Sequence, residues 1–593
     1  MKLASVQRQL AKAARTTIAK MPKPRPSYVH GASDIPLLHD TMGDRLLQAV
    51  EQVPSKEFVY FRHQQIRRTY EQFYHDVRQL ARGFIRLGLQ PGDRVGMWGP
   101  NYYEWLCTQY AAALAGLIQV NVNPAYQIEE LKYALNKVGV RALVTPRSFR
   151  KSDYYGTLDK LVPGLSSQPE GQGAIRTTEL PQLEHIIIIN EAKPLPGAWR
   201  FEDVVGMGGA EEEQRLEEIN RRIGPDTPVN IQYTSGTTGH PKAATLSHHN
   251  IVNNAYLTGI GTNYHIGEHR ICVPNPLYHC FGCVMGTLNA LVHKQSLVFP
   301  DKWFNPASTL DAVEEERCTA LYGTPTMFVD VFKHGIEGRD LSSLRSGYIA
   351  GSPCPVALCE RMVNDLGLRD LAVLYGSTEL SPIVTLSRLD EAPLERIKNV
   401  GYVAAHTELC VVDAEGTIVP RGEKGELMAR GYMLMSGYFN DEEKTKKEIT
   451  DTRWYHTGDT ALMDENGAIS IVGRTKDMII RGGENIYPTE IEQFMFRLPY
   501  IADAQVIGVP DERFGEAVCV WVMLRKGFED KVTAEQIRED CKGKIAHYKV
   551  PAYVCIKKME DFPVTATGKI RKVEMREMAR KELGLENVRD VFN

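Results

Sequence analysis

The sequence has no uninterrupted apolar run near the roughly 20 residues that a membrane-spanning helix needs. Its longest candidates, Ile186–Ile189 and Val518–Leu524, are strand-sized, so no transmembrane segment is expected. Basic excess is also missing. Lys plus Arg number 70 against 74 Asp plus Glu, a net charge of -4, and this argues against a nucleic-acid partner. Cysteines are few and scattered, 11 in 593 residues. That usage suits a reducing compartment better than a disulfide framework. A single CxxC spacing occurs, Cys280-Phe281-Gly282-Cys283. With no second pair and apolar neighbours, it reads as two buried thiols rather than a zinc or redox site. Acid is also absent from the amino terminus before Asp34.

That stretch carries Lys2, Arg8, Lys12, Arg15 and Lys20. On a helical wheel Leu3, Val6, Leu10, Ala14 and Ile18 fall opposite Arg8, Lys12 and Arg15. Pro22, Pro24 and Pro26 would end the helix. The composition predicts a mitochondrial (matrix) transit peptide over residues 1–31.

Beyond it, helical and strand patterns alternate for more than 400 residues. Tyr70–Leu87 and Glu104–Leu117 read as helices. Arg94–Trp98, Gln119–Val122, Ala142–Thr145, Ile186–Asn190, Ile231–Thr234, Ser296–Phe299, Ala320–Gly323 and Ala372–Tyr375 read as short buried strands. Ala210–Arg222 reads as an exposed helix. The expected fold class is α/β, with layered and largely parallel sheets in a large domain, 32–474. Short strands and Gly-rich turns after Gly401 predict a β-rich subdomain within it. A small α+β domain is expected over 475–593.

The chemistry-bearing motifs begin with Thr234-Ser235-Gly236-Thr237-Thr238-Gly239-His240-Pro241-Lys242. Its glycines let backbone N–H groups approach an anion, its hydroxyls add donors, and its lysine adds charge. It is not a Walker loop: Pro241 replaces the second glycine and Ala243 replaces the magnesium-binding hydroxyl. Tyr375-Gly376-Ser377-Thr378-Glu379 follows a predicted strand and ends in a carboxylate suited to Mg²⁺. Trp454–Asp459 ends in an acid that could bind ribose hydroxyls. Pro563-Val564-Thr565-Ala566-Thr567-Gly568-Lys569 places a lysine behind a turn. Each motif is weak alone. The four in this order are specific.

In these motifs the sequence resembles the adenylate-forming superfamily of acyl-CoA synthetases, adenylation domains and beetle luciferases, from about Leu46 onward. Pro274–Cys280, Tyr322–Thr326 and Arg481–Pro488 look closest to its mitochondrial medium-chain acyl-CoA synthetases. The resemblance implies a ligase that activates a fatty acid with ATP and Mg²⁺ and passes the acyl group to CoA. It implies that Thr234, Ser235, Gly236, Thr237, Thr238, Gly239 and Lys242 hold the leaving phosphates. Tyr375 would stack on adenine with Gly376 and Ser377 beside it, Thr378 would contact phosphate, and Glu379 would hold Mg²⁺. Asp459 would bind ribose with Arg474 assisting, and Lys569 would bridge the substrate carboxylate and the α-phosphate. Gly482, Gly483 and Glu484 would line the CoA tunnel, Lys476 would be the domain hinge, and His279, Gly351 and Ser352 would border the acyl pocket, with Gly351 and Ser352 also touching the nucleotide. Ala243 departs from the usual glycine, and a positive φ there would disfavour it. Carrier-protein loading, a luciferase-like oxygenase and a non-catalytic scaffold are the competing readings. No carrier segment follows Lys569, and both Lys569 and Glu379 are present, which favours the ligase.

Overall fold

The computed structural model describes residues 25–593 apart from 172–174, 235–240, 482–483, 512, 566–569, 587 and 589–593. Two large sheets dominate it. In one, strands Trp199–Arg200, His185–Ile189, Val140–Pro146, Arg94–Trp98, Ile118–Val122 and Pro228–Thr234 lie side by side in parallel. Lys242–Ser247 and Gly437–Tyr438 extend that sheet antiparallel. In the other, Asp370–Gly376, Ser346–Ile349, Ala320–Gly323, Arg270–Cys272, Ser296–Phe299 and Glu57–Phe61 form the parallel centre. Antiparallel strands close each of its edges. Runs such as Ile186–Ile189 are buried on both faces, as parallel strands covered by helices require.

Helix Tyr70–Arg86 shows how the sequence encodes the layer between. Thr69 and Gln72 make a reciprocal capping box that satisfies the first free N–H groups. Tyr70, Phe73, Val77, Leu80 and Phe84, three or four apart, turn one stripe inward with Ala81 beside it. Each large side chain so buried contributes about 1.5–3 kcal/mol. Helix Tyr103–Leu114 is buried all round and packs on it through Phe73 and Tyr110. It stops three residues short of the expected Leu117, because the chain turns at Gly116 with φ +69. Helix Ala210–Asn220 is less exposed than expected: Glu212, Leu216 and Ile219 face inward.

The β-rich subdomain is a five-stranded sheet containing Thr407–Val412, Lys424–Gly431, Tyr455–Met463 and Ile469–Arg474. Its fifth strand is Tyr28–His30, paired antiparallel with Glu408–Cys410. This pairing places residues that precede the expected leader boundary at residue 31 within the sheet. Ser27 is fully buried and its hydroxyl donates to the Pro420 carbonyl at 2.9 Å. Residues 25–31 are therefore part of the fold, because strand pairing satisfies backbone groups that an acid-free composition does not reveal. The rest of the predicted leader, residues 1–24, lies outside the described residues.

After Arg474 the strands belong to another sheet, built from Ile479–Arg481, Glu484–Ile486, Ile501–Asp511, Gly515–Leu524 and Tyr553–Ile556. It has its own core of Ile491, Ile501, Val506, Val520 and Ile537. Among the described residues no helix is long and apolar enough to cross a membrane.

Candidate active site

The carboxyl ends of the two large sheets converge, the usual ligand position in open α/β sheets. Thr234 ends strand Pro228–Thr234 and pairs in register with Lys242, which begins the next strand. The loop between them therefore joins antiparallel neighbours, whereas a Walker loop leads from a strand into a helix. Ser235, Gly236, Thr237, Thr238, Gly239 and His240 lie outside the described residues. Ala243 sits in the ladder opposite Tyr233 and is buried. A β-carbon is at home in an extended strand, so the expected difficulty at Ala243 does not arise. This strand, Lys242–Ser247, is absent from the sequence reading.

Strand Asp370–Gly376 delivers Tyr375, Gly376 and a tight turn, Thr378–Leu380. A β-carbon on Gly376 would lie 1.8 Å from the Pro382 carbonyl oxygen, so the antiparallel neighbour that begins at Ile383 can approach only glycine. The turn buries Glu379 to 5% exposure. The Glu379 carboxylate accepts from the Thr234 hydroxyl at 3.0 Å and lies 3.1 Å from the Tyr438 hydroxyl. The backbone carbonyl of Glu379 is held by the Met435 N–H at 2.9 Å.

Lys242 donates to the Tyr438 hydroxyl at 2.9 Å and forms an ion pair with Glu448 at 2.6 Å. Tyr438 also donates to the other Glu448 oxygen at 2.6 Å. Burial, then the Glu379 charge, pushes the Tyr438 phenol far above its ordinary value. Tyr455 is raised for the same reasons, burial first and then Glu379 and Glu448.

On the other flank, the Tyr375 hydroxyl donates to Asp459 at 2.7 Å. Asp459 pairs across strands with Arg474, whose Nε lies 3.3 Å from the carboxylate. Burial works against the Arg474 charge, but Asp459 and Asp477 outweigh it and hold the guanidinium above its ordinary value. Lys476 is exposed at the surface. Partial desolvation by its neighbours, then repulsion from Arg474, lowers its pKa, and Lys242 adds to that repulsion. Lys242, Arg474 and Lys476 thus share one region with Glu379, Asp459 and Asp477, a field suited to an anion carrying a metal.

His279 lies at the start of a wide π-helical segment, Phe281–Leu288. Its Nδ1 accepts from the Phe281 N–H at 3.2 Å. Cys280 reaches the Thr378 hydroxyl at 3.7 Å, which links this segment to the Glu379 turn. Cys280 and Cys283 are buried free thiols, and burial pushes Cys280 up to about 12. Gly351, at φ +93, and Ser352 follow strand Ser346–Ile349, next to Asp370–Gly376. Glu484 is exposed in the hairpin formed by Ile479–Arg481 and Glu484–Ile486, while Gly482, Gly483 and Lys569 lie outside the described residues.

The structure therefore brings together Thr234, Lys242, Tyr375, Thr378, Glu379, Asp459, Arg474 and Lys476. Sequence reasoning missed Tyr438 and Glu448. Gly437-Tyr438 could have been noticed as a dipeptide between turns. Glu448 sits in the run Glu442–Glu448, which reads as an ordinary solvated helix.

Fold and site define an adenylate-forming enzyme, and the AMP-binding enzyme profile matches residues 46–439, with its C-terminal domain profile matching residues 490–569. The chain belongs to the AMP-binding enzyme family. Its particular place is close to relatives named medium-chain acyl-CoA ligase ACSF2, mitochondrial. The zebrafish (Danio rerio) protein is 46% identical over 562 residues, 94% of this chain and 91% of the relative. The human (Homo sapiens) protein is 41% identical over 566 residues, again 94% and 91%. A Bacillus subtilis protein, YngI, is 40% identical over 545 residues, 91% of this chain and 97% of its own. Among solved structures, the anthranilate CoA ligase AuaEII in complex with anthranoyl-AMP shares the fold with a TM-score of 0.79 at 24% identity. That match covers 93% of this chain and 99% of AuaEII.

Proposed function

We propose that this protein is an AMP-forming fatty acid–CoA ligase acting on medium-chain acids in mitochondria. The convergence of Thr234, Lys242, Glu379, Asp459 and Arg474 on one centre carries the reading. In the first half-reaction a carboxylate oxygen of the acid attacks the α-phosphorus of ATP. The bond to the β-phosphate oxygen breaks, and pyrophosphate leaves with the electron pair. In the second, the sulfur of CoA attacks the acyl carbon of the adenylate, AMP leaves with the bonding pair, and the thiol proton passes to solvent.

The physical difficulty is bringing one anion onto another, which at about 4 Å costs several kcal/mol at an effective dielectric near 20. Lys242, with the loop 234–242, meets the β- and γ-phosphates and offsets that repulsion. Asp459 is aimed at the ribose hydroxyls by Tyr375 and Arg474, each on one carboxylate oxygen. The Tyr375 ring beside it covers adenine. Lys569 bridges the reacting carboxylate and the α-phosphate. A buried carboxylate beside a hydroxyl fits Mg²⁺, which takes few protein oxygens and completes its shell with phosphate and water. Glu379 and Thr234 would hold it, and when bound it neutralises phosphate charge.

The second half-reaction needs Lys569 withdrawn and the Gly482-Gly483-Glu484 hairpin brought to the thiol. Both lie beyond Lys476, which makes that residue the pivot between 32–474 and the C-terminal domain. His279, Gly351 and Ser352 border the acyl pocket. The basic, acid-free leader and the mitochondrial names of the vertebrate relatives support the compartment.

The test is pyrophosphate release with acids of two to eighteen carbons, with and without CoA. Octanoate or a neighbouring chain length should give the highest kcat/KM, with acyl-CoA formed only when CoA is present. Preference for acetate, or for chains beyond about sixteen carbons, would refute the chain-length reading. Oxygen uptake with the acyl-adenylate would refute the ligase.

A further inference from the structure

Lys242 does not stand alone as a cation. Its ammonium, only 10% exposed at the side chain, is paired with Glu448 at 2.6 Å. That carboxylate is itself fixed, since its second oxygen accepts from Tyr438 at 2.6 Å. Tyr438 in turn accepts from Lys242 at 2.9 Å and lies 3.1 Å from Glu379. A phenol has one hydrogen and cannot donate fully to two carboxylates. The ring therefore ties the lysine that faces phosphate to the carboxylate that faces metal. Glu448 comes from the last residue of helix Glu442–Glu448, far in sequence from either motif.

We infer that Glu448 is a positioning residue that trims the charge Lys242 presents to the nucleotide's phosphates. This rests on the reading that Lys242 meets those phosphates. Two consequences follow from having a fixed carboxylate within hydrogen-bond distance of the ammonium. The carboxylate orients Lys242, using one of its three N–H donors and leaving Tyr438 a second. It also offsets the positive charge and places a negative charge near the incoming triphosphate, so that attraction to triphosphate and to pyrophosphate is weakened alike. Tight pyrophosphate binding would stall the enzyme after adenylation. A counter-ion on the loop lysine speeds its departure while raising the ATP concentration needed.

The test is steady-state kinetics of the full chain with MgATP, plus inhibition by inorganic pyrophosphate, for Glu448→Gln and Glu448→Ser. Melting temperatures check folding. Glu443→Gln, exposed on the same helix, is the control. Both Glu448 variants should lower the KM for MgATP by about threefold or more and lower the pyrophosphate inhibition constant in parallel. Neither should raise kcat, and Glu443→Gln should change nothing. A merely structural Glu448 would lower kcat and melting temperature without tightening both ligands. An unchanged or raised KM in the two variants overturns the inference. Lys242→Ala separates this from the broader reading. It should raise KM and abolish the effect of adding Glu448→Gln. If Lys242→Ala leaves both constants where they are, the phosphate role of Lys242 fails and this inference with it. If Lys242→Ala behaves as expected and Glu448→Gln does nothing, only the inference fails.

Discussion

Replacing Gly376 with alanine tests whether the close pairing of two strands beneath the site sets its geometry. The added β-carbon would sit 1.8 Å from the Pro382 carbonyl oxygen and 2.8 Å from its carbon, against a closest ordinary approach of about 3.0 Å. Relief requires at least about 1 Å of movement, and the obstacle is backbone that also pairs at Ile383. No flexible side chain can give way. Overpacking of this kind costs about 3 kcal/mol, the upper end of the usual range. The displaced segment carries Tyr375 on one side and Glu379 on the other, so the tether to Asp459 and the contact with Thr234 are both strained. A misplacement of about 1 Å costs on the order of a hundredfold in rate, roughly 2.7 kcal/mol. The assay is pyrophosphate release at saturating ATP and octanoate, beside the melting temperature. Gly416→Ala serves as a reference. It has φ +78 but nothing within 4 Å, and so carries backbone strain without the clash. Gly376→Ala should lose about a hundredfold in rate and melt several degrees lower, while Gly416→Ala keeps its activity. Retention of more than a third of the activity with an unchanged melting temperature would refute the argument.

Lys476→Pro should preserve pyrophosphate release within about tenfold and cut acyl-CoA formation at least about a hundredfold, because a fixed φ blocks the hinge. Equal loss of both would remove Lys476 as pivot. A chain starting at residue 25 should melt like the full chain, whereas one starting at residue 32 loses the strand Tyr28–His30 and melts lower. Equal melting of the two would show that this strand adds nothing. Residues 1–40 fused to a fluorescent reporter should enter mitochondria, and a cytosolic reporter would overturn the leader. Burial lowers His63, His248 and His293 to about 4 from 6.5. Between those values the unfolded chain binds protons that the folded chain does not, so stability held above pH 6.5 is lost as pH falls towards 4. The melting temperature should drop across that window and drop less in His248→Gln. A parallel decline in wild type and variant would clear His248.

The order of four short motifs carried the family, because phosphate, metal and ribose contacts each demand particular residue types within a few positions of a strand end. Thr234, Lys242, Tyr375, Glu379, Asp459 and Arg474 were therefore legible before any folding was considered. The parallel strands were legible too: Ile186–Ile189 and Ala320–Gly323 are apolar runs bounded by turns, and burial on both faces leaves no other pattern. Tertiary structure alone decided what surrounds those residues. Tyr28–His30 looks like the tail of a basic leader until Glu408–Cys410 supplies its partner strand. Glu448 looks like one of three acids on a solvated helix until Lys242, 206 residues earlier, arrives at 2.6 Å. Tyr375 and Asp459, 84 residues apart, become one unit through a single hydrogen bond. Such contacts depend on how sheets stack and where turns deliver a side chain. Local pattern records the residue types that chemistry requires, whereas long-range pairing is a property of the packed chain.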